Sequence, residues 1–402
     1  MIDEILMKAV VDTIPQWYIA EYGPHKYKLK VKHSHLRFCS YTPMSPKLQK
    51  FYDYSNRMLP LWKRIMSASP LAIHSDFVQS ILALKWLSLF DSEISWSELF
   101  TFIRKTVIRS YENHPVTLNL IISPGKGKIK ISDPDFDKFL GPLANSQHIY
   151  FKLDKQLNFL EYDEIPWGSI NETKDYKFNP EFLQPIASIL KKGEISVHLT
   201  SSGDIIFMNS DGIIASRRKL AWHFYDVFNF SDFMIKLFKR DIRACRLLET
   251  MLDLSYHRRG ALIIFDPNCT VIKQMISPGA STCNKYGTPD LFRGILAKSF
   301  ITPTENNENK NNCTNIRKKR LFLEIASIDG AVICNNEGLM AFGAMIKPHP
   351  NVNIHRGART TAAESAYRWG GVVLNVSSDG DVNIFFESSD GKNRCDAIIT
   401  FM

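Results

Sequence analysis

Gly260-Ala-Leu-Ile-Ile-Phe265, Ile328-Asp-Gly-Ala-Val-Ile333, Gly357-Ala-Arg-Thr-Thr-Ala-Ala-Glu364 and Val372-Val-Leu-Asn-Val-Ser-Ser-Asp-Gly380 are four landmarks in one stretch of the chain, Tyr256 to Phe386. Each reads as a short apolar strand meeting a glycine-bearing turn or a helix start, with a charged or hydroxyl residue at the junction. Junctions of this kind bind phosphates in α/β folds, because the backbone N–H groups of a helix start are unpaired and a glycine lets an anion come close. The stretch is therefore read as a nucleotide site in a domain that mixes strands and helices.

Within it, His257-Arg-Arg-Gly260 leads into a buried strand, Ala261 to Phe265. Thr288-Pro-Asp290 supplies a cap and a first-turn proline for a helix reaching Phe300. An Asn-rich insertion, Glu305 to Asn315, ends in Arg317-Lys-Lys-Arg320, a run read as a solvated loop. The chain returns as a strand to Ile328-Asp-Gly-Ala331, then forms the strands Ala331 to Cys334 and Leu339 to Ile346 around an Asn-Asn-Glu-Gly hairpin. Asp329 would sit at a strand entry, with Gly330 allowing a ligand to approach the backbone. Thr360 or Thr361 would cap a helix from Ala362 to Trp369, and Arg359 would offer a guanidinium fork to a phosphate.

Outside this stretch, the 402 residues favour more than one domain. Hydrophobic residues make up 45% and aromatics 12%, enough to build packed cores. A net charge of +9 weakly favours anionic partners such as nucleotides, nucleic acid or anionic lipid. The first ten residues carry two acids where a secretory signal needs basic residues and an apolar run, and no stretch is long and apolar enough to span a membrane. Seven scattered cysteines without a CxxC pair read as reduced thiols, so a cytoplasmic location without membrane insertion is expected.

The upstream chain is less specific. His33-Ser-His35 lacks further ligands nearby and reads as a polar strand face. Leu59 to Tyr111 has helical spacing, with Ser95-Trp-Ser-Glu98 in the form of a capping box. Val116 to Ile122 and His148 to Leu153 read as strands, with Ser123-Pro-Gly-Lys-Gly127 as a plain hairpin turn that lacks a phosphate-loop frame. After a polar boundary at Ser169 to Asn179, Ile195 to Leu199, Ile205 to Met208 and Gly212 to Ala215 suggest an antiparallel meander. Arg217-Arg-Lys219 beside Trp222-His-Phe-Tyr225 reads as a wet turn and a core cluster, with single-stranded nucleic-acid binding the alternative. Residues 231 to 256 fit one amphipathic helix. The expected division is an N-terminal helical and α+β domain over 1–175, a β-meander over 176–230, and a nucleotide-binding domain over 231–402.

The ordered motifs Gly-Ala-Leu-Ile at Gly260, Asp-Gly-Ala-Val-Ile at Asp329 with the following Ala-Phe-Gly-Ala strand, Gly-x-Arg-x-x-Ala-Ala at Gly357, and Val-Ser at Val376 resemble the diadenylate cyclase (DisA nucleotide-binding) domain family. The likeness spans residues 231 to 390. It implies a central mixed sheet flanked by helices, and face-to-face protomers that each hold ATP and a divalent Mg²⁺ or Mn²⁺ and join two ATP into cyclic di-AMP. Asp329 would bind the metal and help activate a ribose hydroxyl. Gly330, Ala331, Gly343, Gly357, Arg359, Thr360, Thr361, Ser377 and Ser378 would line the nucleotide.

This chain departs from the family at the Arg-His-Arg phosphate motif, which falls on Arg359-Thr360-Thr361 and keeps only its first member. Charge-assisted hydrogen bonds contribute about 1.5 to 3 kcal/mol each, so losing two would remove about 3 to 6 kcal/mol of transition-state stabilisation. That corresponds to roughly hundreds to tens of thousands in rate, so binding could outlast efficient cyclisation. Ser110 to Leu118, the Ser202 to Phe207 hairpin and Arg218 to His223 ahead of Leu252 to Ala261 are similar to a divergent branch called DACNV, soluble bacterial proteins predicted to be sensors in nucleotide-linked defence systems. The resemblance thus implies a sensor of ATP or a signalling nucleotide, with an active metal-dependent cyclase as the alternative and a basic nucleic-acid scaffold as the third reading.

Overall fold

The computed structural model describes residues 19–20, 27–28, 37–39, 46–47, 50–51, 53–54, 71–111, 114–134, 136, 138, 149–165, 180–218, 221–225, 243–277, 280–281, 322–335, 339–352, 357–389 and 394–401. The His33 and His35 pair, the expected 288–300 helix, the 305–315 insertion, the 317–320 basic run and the 231–242 part of the expected long helix lie outside them. The fold is α+β. The chain divides into two compact units, one of residues 1–16, 31–34 and 42–231, the other of 17–30, 35–41 and 232–402.

In the first unit, α1 (Leu71–Ser88) and α2 (Trp96–Val107) accompany an eight-stranded sheet, beside a two-stranded ribbon of Ser110–Tyr111 and His114–Pro115. Apolar residues at Leu99, Phe100, Phe102 and Ile103 recur every three to four positions and are buried, which makes α2 a helix with one packed face. Ser95 stands at its N-cap and accepts the Leu99 N–H through its backbone carbonyl, but its side chain makes no cap bond, so the expected capping box does not form. With ψ at 65°, Ser95 lies outside the extended geometry that aims a cap hydroxyl at the first turn.

The strands are β1 (Leu118–Ile122), β2 (Ile129–Lys130), β3 (Ile149–Leu153), β4 (Asn158–Glu164), β5 (Ile195–Leu199), β6 (Ile205–Asn209), β7 (Gly212–Arg218) and β8 (Ala221–Phe224). Their order is β8-β7-β6-β5-β1-β3-β4-β2. The meander forms as expected, but the boundary at 175/176 does not separate it, because β5 pairs antiparallel with β1 from Ile195↔Ile122 to Leu199↔Leu118. Residues 118–164 and 195–224 therefore share one hydrogen-bonded sheet.

The hairpin expected at Ser123 to Gly127 is also corrected: β1 and β3 run parallel, and the loop carries the chain instead to β2, which pairs with β4. Asp154 holds that loop by accepting the Gly127 N–H at 2.9 Å and the Asn158 N–H at 2.7 Å. Trp222, Phe224 and Tyr225 are buried, and Arg218 is 3.4 Å from Asp204 inside the unit, so these aromatics belong to the core cluster.

In the second unit, α4 (Arg243–Tyr256; α3 is Gln184–Ile189 in the first) leads to β9 (Ala261–Phe265). The further strands are β10 (Met275–Ser277), β11 (Ala331–Cys334), β12 (Leu339–Ile346), β13 (Val372–Val376), β14 (Val382–Ser389) and β15 (Arg394–Phe401), with α5 at Ala358–Arg368. The sheet order is β10-β12-β11-β9-β13-β14-β15. β9 runs parallel to β11 and antiparallel to β13. All five β9 residues are buried, as a central strand covered on both faces requires.

Leu262, Ile264, Ala331, Ile333, Val373 and Phe385 pack on one face with Ala363 and Ala366 of α5. The small alanines let the helix lie close to the sheet, which brings its first turn to the strand ends. α4 packs on β13. Ahead of β11 the expected strand is a helix, residues 322–326, followed by a turn. The run Phe322-Leu-Glu-Ile-Ala326 buries positions 322, 325 and 326, a helical spacing that its apolar content alone did not separate from a strand.

Candidate functional site

The register of the second sheet decides where the four landmarks meet. Leu262 lies opposite Ala331, and Ala261 lies opposite Val376. Gly260 immediately precedes β9, Asp329 lies two residues before β11, and Ser377 directly follows β13. Asp329, Gly260 and Ser377 thus share one end of the sheet. An exposed Arg259–Glu324 ion pair at 2.6 Å ties the approach to β9 to the helix before β11.

Arg359 reaches the same end. A methyl group built on Gly260 would lie 2.8 Å from its Cζ, so the guanidinium rests on the Gly260 backbone where any side chain would displace it. Neither the Arg359 nor the Asp329 side chain has a hydrogen bond or ion pair to another described residue, and no ion pair of 4.0 Å or less joins them to each other. Asp329 is exposed and Arg359 half-buried.

Helix α5 starts four residues before the expected point. Gly357 is the N-cap, so Arg359, Thr360 and Thr361 lie in the first turn and neither threonine caps it. Thr361 is buried, and its hydroxyl donates to the Gly357 carbonyl at 2.9 Å; its proton is spent within the helix. Thr360 is half-buried in the same turn. The N-cap makes no side-chain bond, and an arginine in the first turn adds positive charge to the positive end of the helix dipole. An anion bound there would relieve both features.

The glycines divide by role. A Cβ on Gly330 would lie 2.5 Å from the Gly343 carbonyl carbon, so the room expected for a ligand is filled by β12 backbone. Gly330 has φ at +103° and Gly343 at +63°. The ladder shifts between Ala331↔Ala344 and Ile333↔Ala341, marking a bulge whose extra residue needs a positive φ. Ala331 is buried in β11 and belongs to the core.

Ser377 is likewise engaged: its Oγ accepts the N–H groups of Asp379 at 3.1 Å and Asp381 at 3.2 Å, closing the β13–β14 hairpin. The hydroxyl of Ser255 on α4 donates to the Gly380 carbonyl and fixes that hairpin from below. Ser378 is exposed on the turn. Of the residues singled out in the sequence, Asp329, Arg359, Thr360 and Ser378 remain with side chains uncommitted among the described residues. Gly260 was quoted only as the start of a strand, yet it supplies the surface for Arg359. Its signal was the small residue two before a buried β9 position.

At the opposite end of the same strands, Asp266 is fully buried and accepts the N–H groups of Thr270 at 2.9 Å and Ile272 at 3.0 Å. That end is closed by its own backbone. Among the described residues no group of three or more His, Cys, Asp or Glu side chains could hold a metal ion, so Asp329 would need donors from a nucleotide or water to retain Mg²⁺ or Mn²⁺. No helix among the described residues is long and apolar enough to cross a membrane.

No family model and no curated protein match this chain. Among solved structures, it is similar to a hypothetical membrane spanning protein from Bacillus cereus at 17% identity and a TM-score of 0.24, covering 44% of this chain and 76% of that one. It is also similar to a double mutant of DacA from Staphylococcus aureus at 20% identity and a TM-score of 0.21, covering 40% and 88%. Likenesses of that size carry no argument about this chain's fold or activity.

Proposed function

We propose that the second unit binds the phosphates of ATP or a signalling nucleotide at the shared end of β9 and β11, and that the protein is a nucleotide sensor with a degenerate diadenylate-cyclase-like site. The observation that carries this reading is the Arg359 guanidinium lying on Gly260, one strand from Asp329, without an ion pair to any described residue. Arg359 and the free N–H groups of the first α5 turn would hold a phosphate together. Asp329 would face a divalent cation brought by the nucleotide. The threonines at 360 and 361 offer no positive charge to a triphosphate as it reacts, which favours binding over turnover.

Calorimetric titration with ATP, ADP and cyclic di-AMP, with and without Mn²⁺, tests the reading. At least one should bind one-to-one, and Arg359→Ala should weaken it by about 10- to 100-fold, the value of a charged hydrogen bond. The exposed Asp329 carboxylate keeps a second reading in play, an active cyclase. Cyclic di-AMP formed from ATP by the wild type and abolished by Asp329→Asn would replace the sensor reading with that one. Absence of nucleotide binding would defeat both.

A further inference from the structure

The first unit contains a half-open cavity of about 360 Å³ lined by Phe100, Ile103, Arg104, Phe207, Arg217 and Trp222, with Ser80, Val107, Ile108 and Ile205 completing it. Its geometry follows from two periodicities. On the sheet, Ile205 pairs with Arg217 and Arg217 with Trp222, so three strands present one row across a single face. On α2, Phe100, Ile103, Arg104 and Val107 have the spacing that brings side chains to one face of a helix, and they cover that row. Phe100 stacks on Trp222 with ring centroids 5.2 Å apart, forming an apolar wall.

The lining holds two arginines and no acid. Arg104 donates to Ser80 at 2.8 Å, which fixes one guanidinium at the edge. Trp222 is 3% exposed, and its indole N–H has no hydrogen-bond partner among the described residues. Ile108, 85% exposed at the rim, extends the apolar surface outward. Two cations and aromatic walls in a cavity at the small end of ligand sites describe a pocket for an apolar body with one anionic head.

We propose that this cavity binds a small amphipathic anion, its ring or chain between α2 and the β6–β8 face and its carboxylate or sulfonate at Arg217 and Arg104. The proposal does not depend on the nucleotide reading of the second unit. The test uses two probes with the same apolar body on the full chain: 1-anilinonaphthalene-8-sulfonate, and N-phenyl-1-naphthylamine, which lacks the charge. Fluorescence titration should show one saturable sulfonate site, weakened about 10- to 100-fold by Arg217→Ala. The uncharged probe should bind equally to wild type and to that variant. Val107→Trp, placed at the half-exposed rim so that the core is undisturbed, should exclude both probes while the far-ultraviolet circular dichroism stays unchanged. Non-saturable sulfonate binding, or binding indifferent to both Arg217→Ala and Val107→Trp, would overturn the proposal.

Discussion

The protein contains the same two chemical groups, a carboxylate and a guanidinium, in opposite states. In the first unit Asp204 and Arg218 are 2% and 5% exposed and close on each other at 3.4 Å. In the second, Asp329 and Arg359 share a sheet end but form no ion pair. The first pair is spent on the fold. The second leaves both side chains without a partner among the described residues, available to a ligand. Sequence separation does not distinguish the cases; burial and the strand ends that present each group do.

Removing one member should break the closed pair far more than the open one. Asp204→Ala removes the carboxylate that faces the buried Arg218 guanidinium, a change expected to cost about 3 kcal/mol in stability. Chemical denaturation measures it directly, and a shift as small as that expected for surface charges would contradict the distinction.

The first unit carries a second buried ionisable group that sharpens it. His198 is wholly buried, and desolvation pushes its pKa down to about 3. Asn119 donates its amide to the Ile149 carbonyl at 3.1 Å, so its Oδ1 accepts from His198 Nδ1 at 3.0 Å, and Nε2 is the acceptor facing Ser196 at 2.9 Å. The folded state therefore holds His198 neutral. Between pH 6.5 and about 3 the unfolded chain binds the additional proton, so this contribution is fully present above 6.5 and falls as the pH drops, by about 1.4 kcal/mol per unit. Thermal unfolding across pH 7 to 4 should show that slope, and His198→Gln should remove it.

Gly260→Ala probes the open pair without deleting a charge. Its methyl group would push the flexible end of Arg359 aside, so nucleotide affinity should drop about tenfold with stability nearly unchanged. Smallest of all is the stability effect at the open pair itself. Asp329→Asn should stay within about 0.5 kcal/mol of the parent. Arg359→Ala should be neutral or raise the melting temperature slightly, because it removes a cation from the positive end of α5. A loss comparable to that of Asp204→Ala would mean the open pair is structural after all.

Much of the second sheet was legible because its strands are apolar runs bounded by glycine turns, and β9, β11, β12 and β13 all appear where those runs lie. Pairing was less legible. Nothing local distinguishes the parallel β1–β3 contact from a hairpin, since the partner is chosen by the sheet as a whole. Helix starts were misjudged for a local reason: at Gly357-Ala-Arg359 the chain enters α5 without a capping side chain, so the threonines looked like the boundary. Of the candidate site, the sequence marked Asp329 and Arg359, whose side chains have no partner among the described residues. The commitment of Ser377 to its hairpin and of Gly330 to the β12 bulge depends on contacts across strands, which residue spacing does not record.

The most direct test is a crystal structure of the chain soaked with ATP and Mn²⁺ and with cyclic di-AMP. The account predicts phosphate density at the first turn of α5, bonded by the Arg359 guanidinium over Gly260, with Asp329 facing the same ligand or its cation. Phosphate bound elsewhere, or Asp329 and Arg359 opening into separate regions with no ligand between them, would contradict it.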